Sequence, residues 1–135
     1  MTGLVYSRFW AKKQGKDATA RPDGWSLAAG KDDVAALVKG VSRGVLITRM
    51  WYLRDVDPQS LLVTGLTRDG TFLIENGEIA APVNNFRFNE SPVQMLARCD
   101  GLGLAQIPGG SEGGGMRVPV VRTHEFNLAS ISEAV

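Results

Sequence analysis

The run Leu61-Leu62-Val63-Thr64-Gly65-Leu66-Thr67-Arg68-Asp69-Gly70-Thr71-Phe72-Leu73-Ile74-Glu75-Asn76-Gly77-Glu78-Ile79-Ala80-Ala81 decides the fold. Leu61 to Leu66 and Thr71 to Glu75 are short apolar and β-branched stretches, each followed by a turn signal. Arg68-Asp69-Gly70 closes the first, with an Asp-Gly pair that tolerates positive φ. Asn76-Gly77 closes the second and is the strongest hairpin signature in the chain, because a type I′ turn needs positive φ at both central positions. Glu78 to Ala81 begins the return. Three strands joined by two tight turns predict an antiparallel meander.

Working upstream, Val45, Ile47, Arg49, Trp51 and Leu53 alternate with Leu46, Thr48, Met50, Tyr52 and Arg54. Both faces are largely apolar, which predicts a central strand, and Asp55 to Gln59 with Pro58 reads as its turn. Val34, Leu37, Val38 and Val41 recur at helical spacing behind Asp32 and Asp33, whose charge suits a helix N-terminus. Gly40 and Gly44 end that helix between 40 and 43. Leu4 to Trp10 reads as a first strand and Lys12 to Gly24 as an exposed connection.

Downstream, Phe86-Arg87-Phe88 alternates as a strand. Ser91-Pro92-Val93-Gln94 has the form of a capping box, predicting a helix from Pro92 to about Cys99 that Gly101 and Gly103 stop. Leu104 to Ile107 is a brief strand, 109–115 a flexible glycine-rich loop, and Met116 to Leu128 a last strand region in which Pro119 marks an edge or a bulge. The expectation is a single domain over 1–135 of α+β class: a mostly antiparallel, curved β-sheet of about six strands with two short helices.

Composition narrows the function classes. A chain of 135 residues, 44% hydrophobic and 21% charged, can bury a core without metal or disulfide and is neither disordered nor a coiled coil. Fifteen basic against fourteen acidic residues leave no general field for nucleic acid or an anionic membrane. One cysteine and one histidine exclude the closed zinc sites built from four such ligands, and one cysteine forbids an internal disulfide. His124-Glu125 begins a metalloprotease-like helix motif, but Leu128 and Ala129 stand where the second histidine would follow. The N-terminus lacks the charge-first order of a signal peptide, and no stretch approaches the ~20 apolar residues of a membrane helix, so a soluble cytoplasmic protein is expected.

No residue stands out as a reaction centre. Cys99 reads as a small buried hydrophobe on a helix, and His124 as a surface residue on a terminal strand. Asp55, Asp57, Asp69 and Glu75 sit in or beside turns, where a carboxylate caps backbone N–H groups. Arg49, Arg54, Arg68, Arg87 and Arg98 interleave with Trp51, Tyr52, Phe72, Phe86 and Phe88. That pattern fits a stacking platform for single-stranded nucleic acid, but balanced charge favours a core rimmed by arginines. The glycine run lacks the Gly-Lys-Ser/Thr ending of a phosphate loop.

Three strings carry a resemblance: Gly44 to Tyr52, Leu61 to Gly77, and Asn85-Phe86-Arg87-Phe88-Asn89-Glu90-Ser91-Pro92. With Tyr6-Ser7-Arg8, Ala11-Lys12-Lys13-Gln14-Gly15 and the terminal Phe126-Asn127 and Ser132 to Val135, they resemble the C-terminal domain of the TldD/PmbA family. Its members are described as zinc-dependent peptidases, modulators of DNA gyrase and microcin-processing proteins. The resemblance implies a larger protein in which an N-terminal α/β region and a His-Glu-x-x-x-His helix precede this domain. It implies zinc in intact catalytic relatives, completed in the TldD branch by a cysteine near the C-terminus. No cysteine stands at 109–115 and Cys99 does not match that ligand, so no catalytic, cofactor-binding or metal residue is carried over. The implied partners are the remainder of the peptidase or a longer family partner, in a homo- or heterodimer, and an unfolded peptide held along the edge expected at Met116 to Leu128. A membrane partner is not expected, and nucleic acid is disfavoured. The alternatives are a stand-alone member that completes a peptidase with a longer chain, and a single-stranded nucleic-acid-binding module.

Overall fold

A computed structural model describes residues 6–20, 24–109 and 115–133. Its elements in order are α1 (Arg8–Gln14), β1 (Trp25–Ser26), α2 (Val34–Lys39), β2 (Arg43–Asp57), β3 (Leu62–Glu75), β4 (Glu78–Pro82), β5 (Phe86–Glu90), α3 (Pro92–Ala97), β6 (Cys99–Gln106), β7 (Met116–Thr123) and β8 (Leu128–Ile131). The class is α+β and mostly antiparallel, as the sequence predicts, with a third helix and two sheets in place of one. The larger sheet runs β2-β3-β5-β8, with β4 also on β3; the smaller runs β1-β7-β6.

The meander survives in altered form. Arg68-Asp69-Gly70 is not a turn: β3 runs straight through it, because both halves pair with the same neighbour, Thr67 with Met50 and Thr71 with Ile47. Two residues, Asp69 and Gly70, oppose the single Thr48, which makes a β-bulge that absorbs their φ values of 59° and 135°. The Thr48 hydroxyl donates to the Gly70 carbonyl at 2.9 Å and holds the bulge. Asn76-Gly77 does turn the chain, at φ 52° and 81°, into β4. β2 extends to Asp57, beyond the expected turn at Asp55, and it is an edge strand rather than a central one.

Local capping explains the helices. Leu4 to Trp10 does not form the expected strand where it is described; Arg8 to Gln14 is helix instead, and Leu4 and Val5 lie outside the described residues. Ser7 Oγ accepts from the Trp10 N–H at 3.3 Å, and Gly15 closes the far end in the left-handed region. These two signals outweigh the β propensity of an aromatic pair. Asp33 caps α2, accepting from the Ala36 N–H at 2.7 Å. Ser91 precedes α3, but it makes no capping bond; its hydroxyl donates to the Ser60 carbonyl at 3.0 Å. α3 ends at Ala97, so Cys99 opens β6 and is not helical. Pro119 lies inside β7, opposite Ala105 and beside a register shift, in keeping with the expected irregularity. The expected flexible loop at 109–115 lies mostly outside the described residues.

The buried aliphatic and aromatic side chains among the described residues are Ala11, Leu37, Val38, Ile74 and Phe88. A core this small leaves backbone ladders and polar clusters to position much of the chain. Thr67 and Thr71 are buried with their hydroxyls 2.9 Å apart, and each lies close to the side-chain oxygen of Asn85, at 3.2 and 3.0 Å. The Phe86 N–H donates to Thr67 Oγ1 at 2.9 Å, which sets the start of β5 against β3.

The stretch before α2 docks on β6. Gly30 N–H donates to the Gly103 carbonyl at 2.9 Å, and Leu104 N–H donates to the Asp32 carbonyl at 2.8 Å. A Cβ at Gly30 would collide with the Leu102 carbonyl, whereas one at Gly109 would meet nothing within 4 Å. Gly30→Ala should therefore destabilise by about 1–3 kcal/mol, with Gly109→Ala changing stability by less than about 0.5 kcal/mol, both read from urea unfolding midpoints.

Candidate functional site

A bulge on β2 itself creates the site. Trp51 pairs with Leu66 and Arg54 with Thr64, so Tyr52 and Leu53 together oppose Gly65, with Tyr52 at φ 58°. Gly65 has no room for a side chain: a Cβ there would lie 2.6 Å from the Phe88 ring and 2.9 Å from Leu53 Cδ2. The bulge shifts the strand's alternation, and Met50, Leu53, Arg54 and Asp55 all border one open cleft of about 740 Å³. Its other walls are Val63, Phe88, Glu90, Pro92, Met95 and Phe126, a mainly apolar set in which two methionines can adapt their shape. Phe88 and Phe126 meet at 5.3 Å between ring centroids.

Glu90 holds these walls in place. Its side chain is 8% exposed; one carboxylate oxygen accepts from the Ser91 N–H at 2.9 Å and the other from Arg98 at 2.6 Å and the Asn127 N–H at 3.1 Å. A single carboxylate thus fixes the start of α3, the approach to β6 and the loop that carries Phe126. Removing it leaves a half-buried guanidinium and two backbone donors unanswered. The residue was legible in principle, because period two along Phe86-Arg87-Phe88-Asn89-Glu90 places Glu90 on the inward face of Phe88.

A second polar cluster joins the smaller sheet to α2. Arg122 donates through Nε and a terminal nitrogen to the two oxygens of Asp100, at 2.8 and 3.2 Å, and its other terminal nitrogen donates to the Leu37 carbonyl at 3.2 Å. His124 Nε2 lies 2.8 Å from Asp100 Oδ2. The guanidinium of Arg122, and after it His124, holds the Asp100 carboxyl down to about 2, below its usual 3.8. His124 is exposed, as the sequence suggests, but its partner Asp100 is 24 residues away in sequence and was not foreseeable from spacing.

The zinc implied by the resemblance finds no donor set here. Among the described residues no three His, Cys, Asp or Glu side chains gather where they could hold a metal. Asp100 is committed to Arg122 and His124, and Cys99 Sγ donates to the Gly101 carbonyl at 3.4 Å. These residues do not fit a zinc ion.

The arginine and aromatic interleave resolves into pairs. The Arg49 guanidinium lies over Trp51 at 4.5 Å and that of Arg54 over Tyr52 at 4.9 Å, while Phe88 is buried. Arg49 also reaches Asp69 at 2.7 Å, and Arg68 lies 3.7 Å from the same carboxylate. The two rings on β2, Trp51 and Tyr52, are therefore each met by one of the chain's own cations. Asp57 does cap a turn, accepting from Gln59 N–H and from Ser60; the Ser60 hydroxyl, then the backbone, holds its carboxyl below the usual range. Asp55 lies in β2 rather than in a turn, and Glu75 ends β3 at the Asn76-Gly77 turn.

Glu90→Ala should lower stability by about 3 kcal/mol, with Glu90→Gln losing less because the amide still accepts a hydrogen bond, both measured by denaturant unfolding. The Asp100 cluster predicts a pH dependence. Because the folded carboxyl titrates near 2 and the unfolded one near 3.8, its contribution is complete above about pH 4 and disappears as pH falls toward 2. Asp100→Asn should flatten this part of the stability profile between pH 4 and 2 and leave the chain less stable at neutral pH; equal acid sensitivity of both proteins would contradict the assignment.

The fold has solved counterparts. TldE from Thermococcus kodakarensis superimposes with a TM-score of 0.69 at 18% identity over 93% of this chain and 30% of its own. A protein from Bacteroides thetaiotaomicron, provisionally described as a modulator of DNA gyrase, gives 0.72 at 20% identity over 88% of this chain and 26% of its own. A similarly described protein from Thermotoga maritima gives 0.69 at 18% identity, covering 92% of this chain and 29% of its own. The chain thus spans less than a third of the length of these relatives, and the likeness concerns the fold. No curated protein sequence matches the chain. The profile of the PmbA/TldA metallopeptidase C-terminal domain, however, matches residues 1–130, nearly the whole sequence, and the chain belongs to that family.

Proposed function

We propose that the chain is the C-terminal, by itself non-catalytic domain of a TldD/PmbA-type metallopeptidase, forming a wall of the channel that receives unfolded peptide. The observation that carries this reading is the juxtaposition of a sheet edge with an apolar cleft. β2 has β3 on one side and no strand on the other among the described residues, and the cleft opens beside Met50 to Asp55. An edge of this kind can hold an extended chain through main-chain hydrogen bonds without demanding a sequence. The edge once expected at Met116 to Leu128 is less suited, because β1 pairs with Met116 and Arg117.

Packing against further polypeptide is the second part of the proposal. Phe9, Trp10, Trp25, Tyr52, Leu53 and Ile107 are all at least half exposed. Apolar side chains in this number suit a domain that meets the remainder of the peptidase, or a longer family partner, across a broad surface. No helix is long and apolar enough to cross a membrane among the described residues, and a cytoplasmic site of action completes the reading.

The purified chain should contain far less than one equivalent of zinc by metal analysis and should leave an unfolded peptide intact. Stoichiometric zinc together with hydrolysis would overturn the proposal.

A further inference from the structure

Asn76 is the one asparagine of the chain that precedes a glycine. That pairing is the most labile an asparagine can have, because no Cβ on the following residue hinders approach of its nitrogen to the side-chain carbonyl carbon. Asn76 is exposed, yet its turn is held. The Asn76 N–H donates to the Ser42 carbonyl at 2.7 Å and the Gly77 N–H to the Val41 carbonyl at 2.8 Å. Both carbonyls belong to the link between α2 and β2. A Cβ at Gly77 would lie 2.9 Å from the Lys39 carbonyl oxygen, so the turn sits directly against the last residue of α2. Neither Asn76 nor Gly77 lines the cleft.

We propose that Asn76 is a deamidation site gated by the docking of the β3–β4 turn on the end of α2: closed while docked, reactive when released, and unable to redock once isoaspartate has formed. The Gly77 nitrogen attacks the carboxamide carbon of Asn76. A new N–C bond forms, the bond to the side-chain nitrogen breaks, and the Gly77 proton departs with that nitrogen as ammonia. The cyclic imide then takes up one water and opens at either carbonyl, to aspartate or to isoaspartate. The attack requires the Gly77 nitrogen to give up its proton and swing toward the side chain. In the docked turn the Val41 carbonyl engages that proton, and the backbone is fixed at φ 52° and 81°.

The gate is local. β4 is exposed along its whole length and pairs with β3 alone among the described residues, so this hairpin belongs to the part of the fold that opens at least cost. When opening is fast relative to the chemistry, the rate follows the population of the open form. The product closes the route back. Isoaspartate leads the main chain through its side-chain carbons, adding one backbone carbon between the two N–H groups that meet Ser42 and Val41. Two neighbouring carbonyls then no longer match their donors, and at least one hydrogen bond is lost. Aspartate keeps the original spacing and redocks.

The test incubates the full chain, the same chain unfolded in urea, and the variants Asp33→Ala and Thr123→Val at mildly alkaline pH. Peptides spanning Asn76 are followed by mass spectrometry, with chromatographic separation of the isoaspartyl form. Conversion should be about tenfold or more slower in the folded chain than in urea. Asp33→Ala, which removes the cap of α2, should speed conversion in the folded chain severalfold. Thr123→Val, which removes a hydrogen bond at the junction of the two sheets, should leave it unchanged. The isoaspartyl chain should unfold at lower urea than Asn76→Asp. Equal rates in the folded and unfolded chains, no conversion in urea, or equal acceleration by the two variants would overturn the local gate. An isoaspartyl chain as stable as Asn76→Asp would overturn its one-way action.

Discussion

The carboxylate of Glu90 is the point at which the parts of this molecule are tied together. It ends β5 in the larger sheet, meets Arg98 at 2.6 Å just before β6 begins the smaller sheet, and holds the Asn127 N–H that leads into β8. With only five aliphatic or aromatic side chains buried among the described residues, hydrophobic burial alone does not set the relation of the two sheets. Polar contacts do so: the Glu90 carboxylate meets Arg98, and the Thr123 hydroxyl donates to the Met95 carbonyl at 2.8 Å. A buried ion pair is a weak source of net stability but a strict one of geometry, because any other arrangement strands a charge. The cleft is the consequence, since α3 with Pro92 and Met95 and the loop with Phe126 both hang from that one group.

How much of this was legible in the sequence depended on the range of the interaction responsible. α2 was legible because its apolar spacing and Asp33 cap are local, and so was the Asn76-Gly77 hairpin. The Asp69-Gly70 signal was equally clear, and it misled. Positive φ serves a bulge as well as a turn, and only the pairing of both flanks with β2 distinguishes them. α1 was hidden because Ser7 and Gly15 decide it from outside the aromatic run that suggests a strand. β2 has two apolar faces, as a central strand would, yet it lies at an edge where Tyr52, Leu53 and Val56 are more than half exposed.

The site shows the same division. Composition alone indicated that one histidine and one cysteine could not supply a closed zinc site of four such ligands; the structure engages His124 with Asp100 and places Cys99 at the start of β6. Arg54 and Asp55 read as a strand end and a turn, so their position on a cleft was invisible until the bulge at Tyr52-Leu53 was known. The proposed function divides the labour: under it the domain would offer a peptide an edge and a pocket, and reactive groups would belong to other polypeptide; membership of the PmbA/TldA C-terminal family supports that reading.

Hydrogen–deuterium exchange of the chain, with and without an unfolded peptide, tests that division most directly. Amides of β2 between Met50 and Asp55 that face away from β3 should gain protection on peptide addition, while those of β6 and β7 stay unchanged. Protection confined to Met116–Thr123, or none on β2 at saturating peptide, would contradict the account.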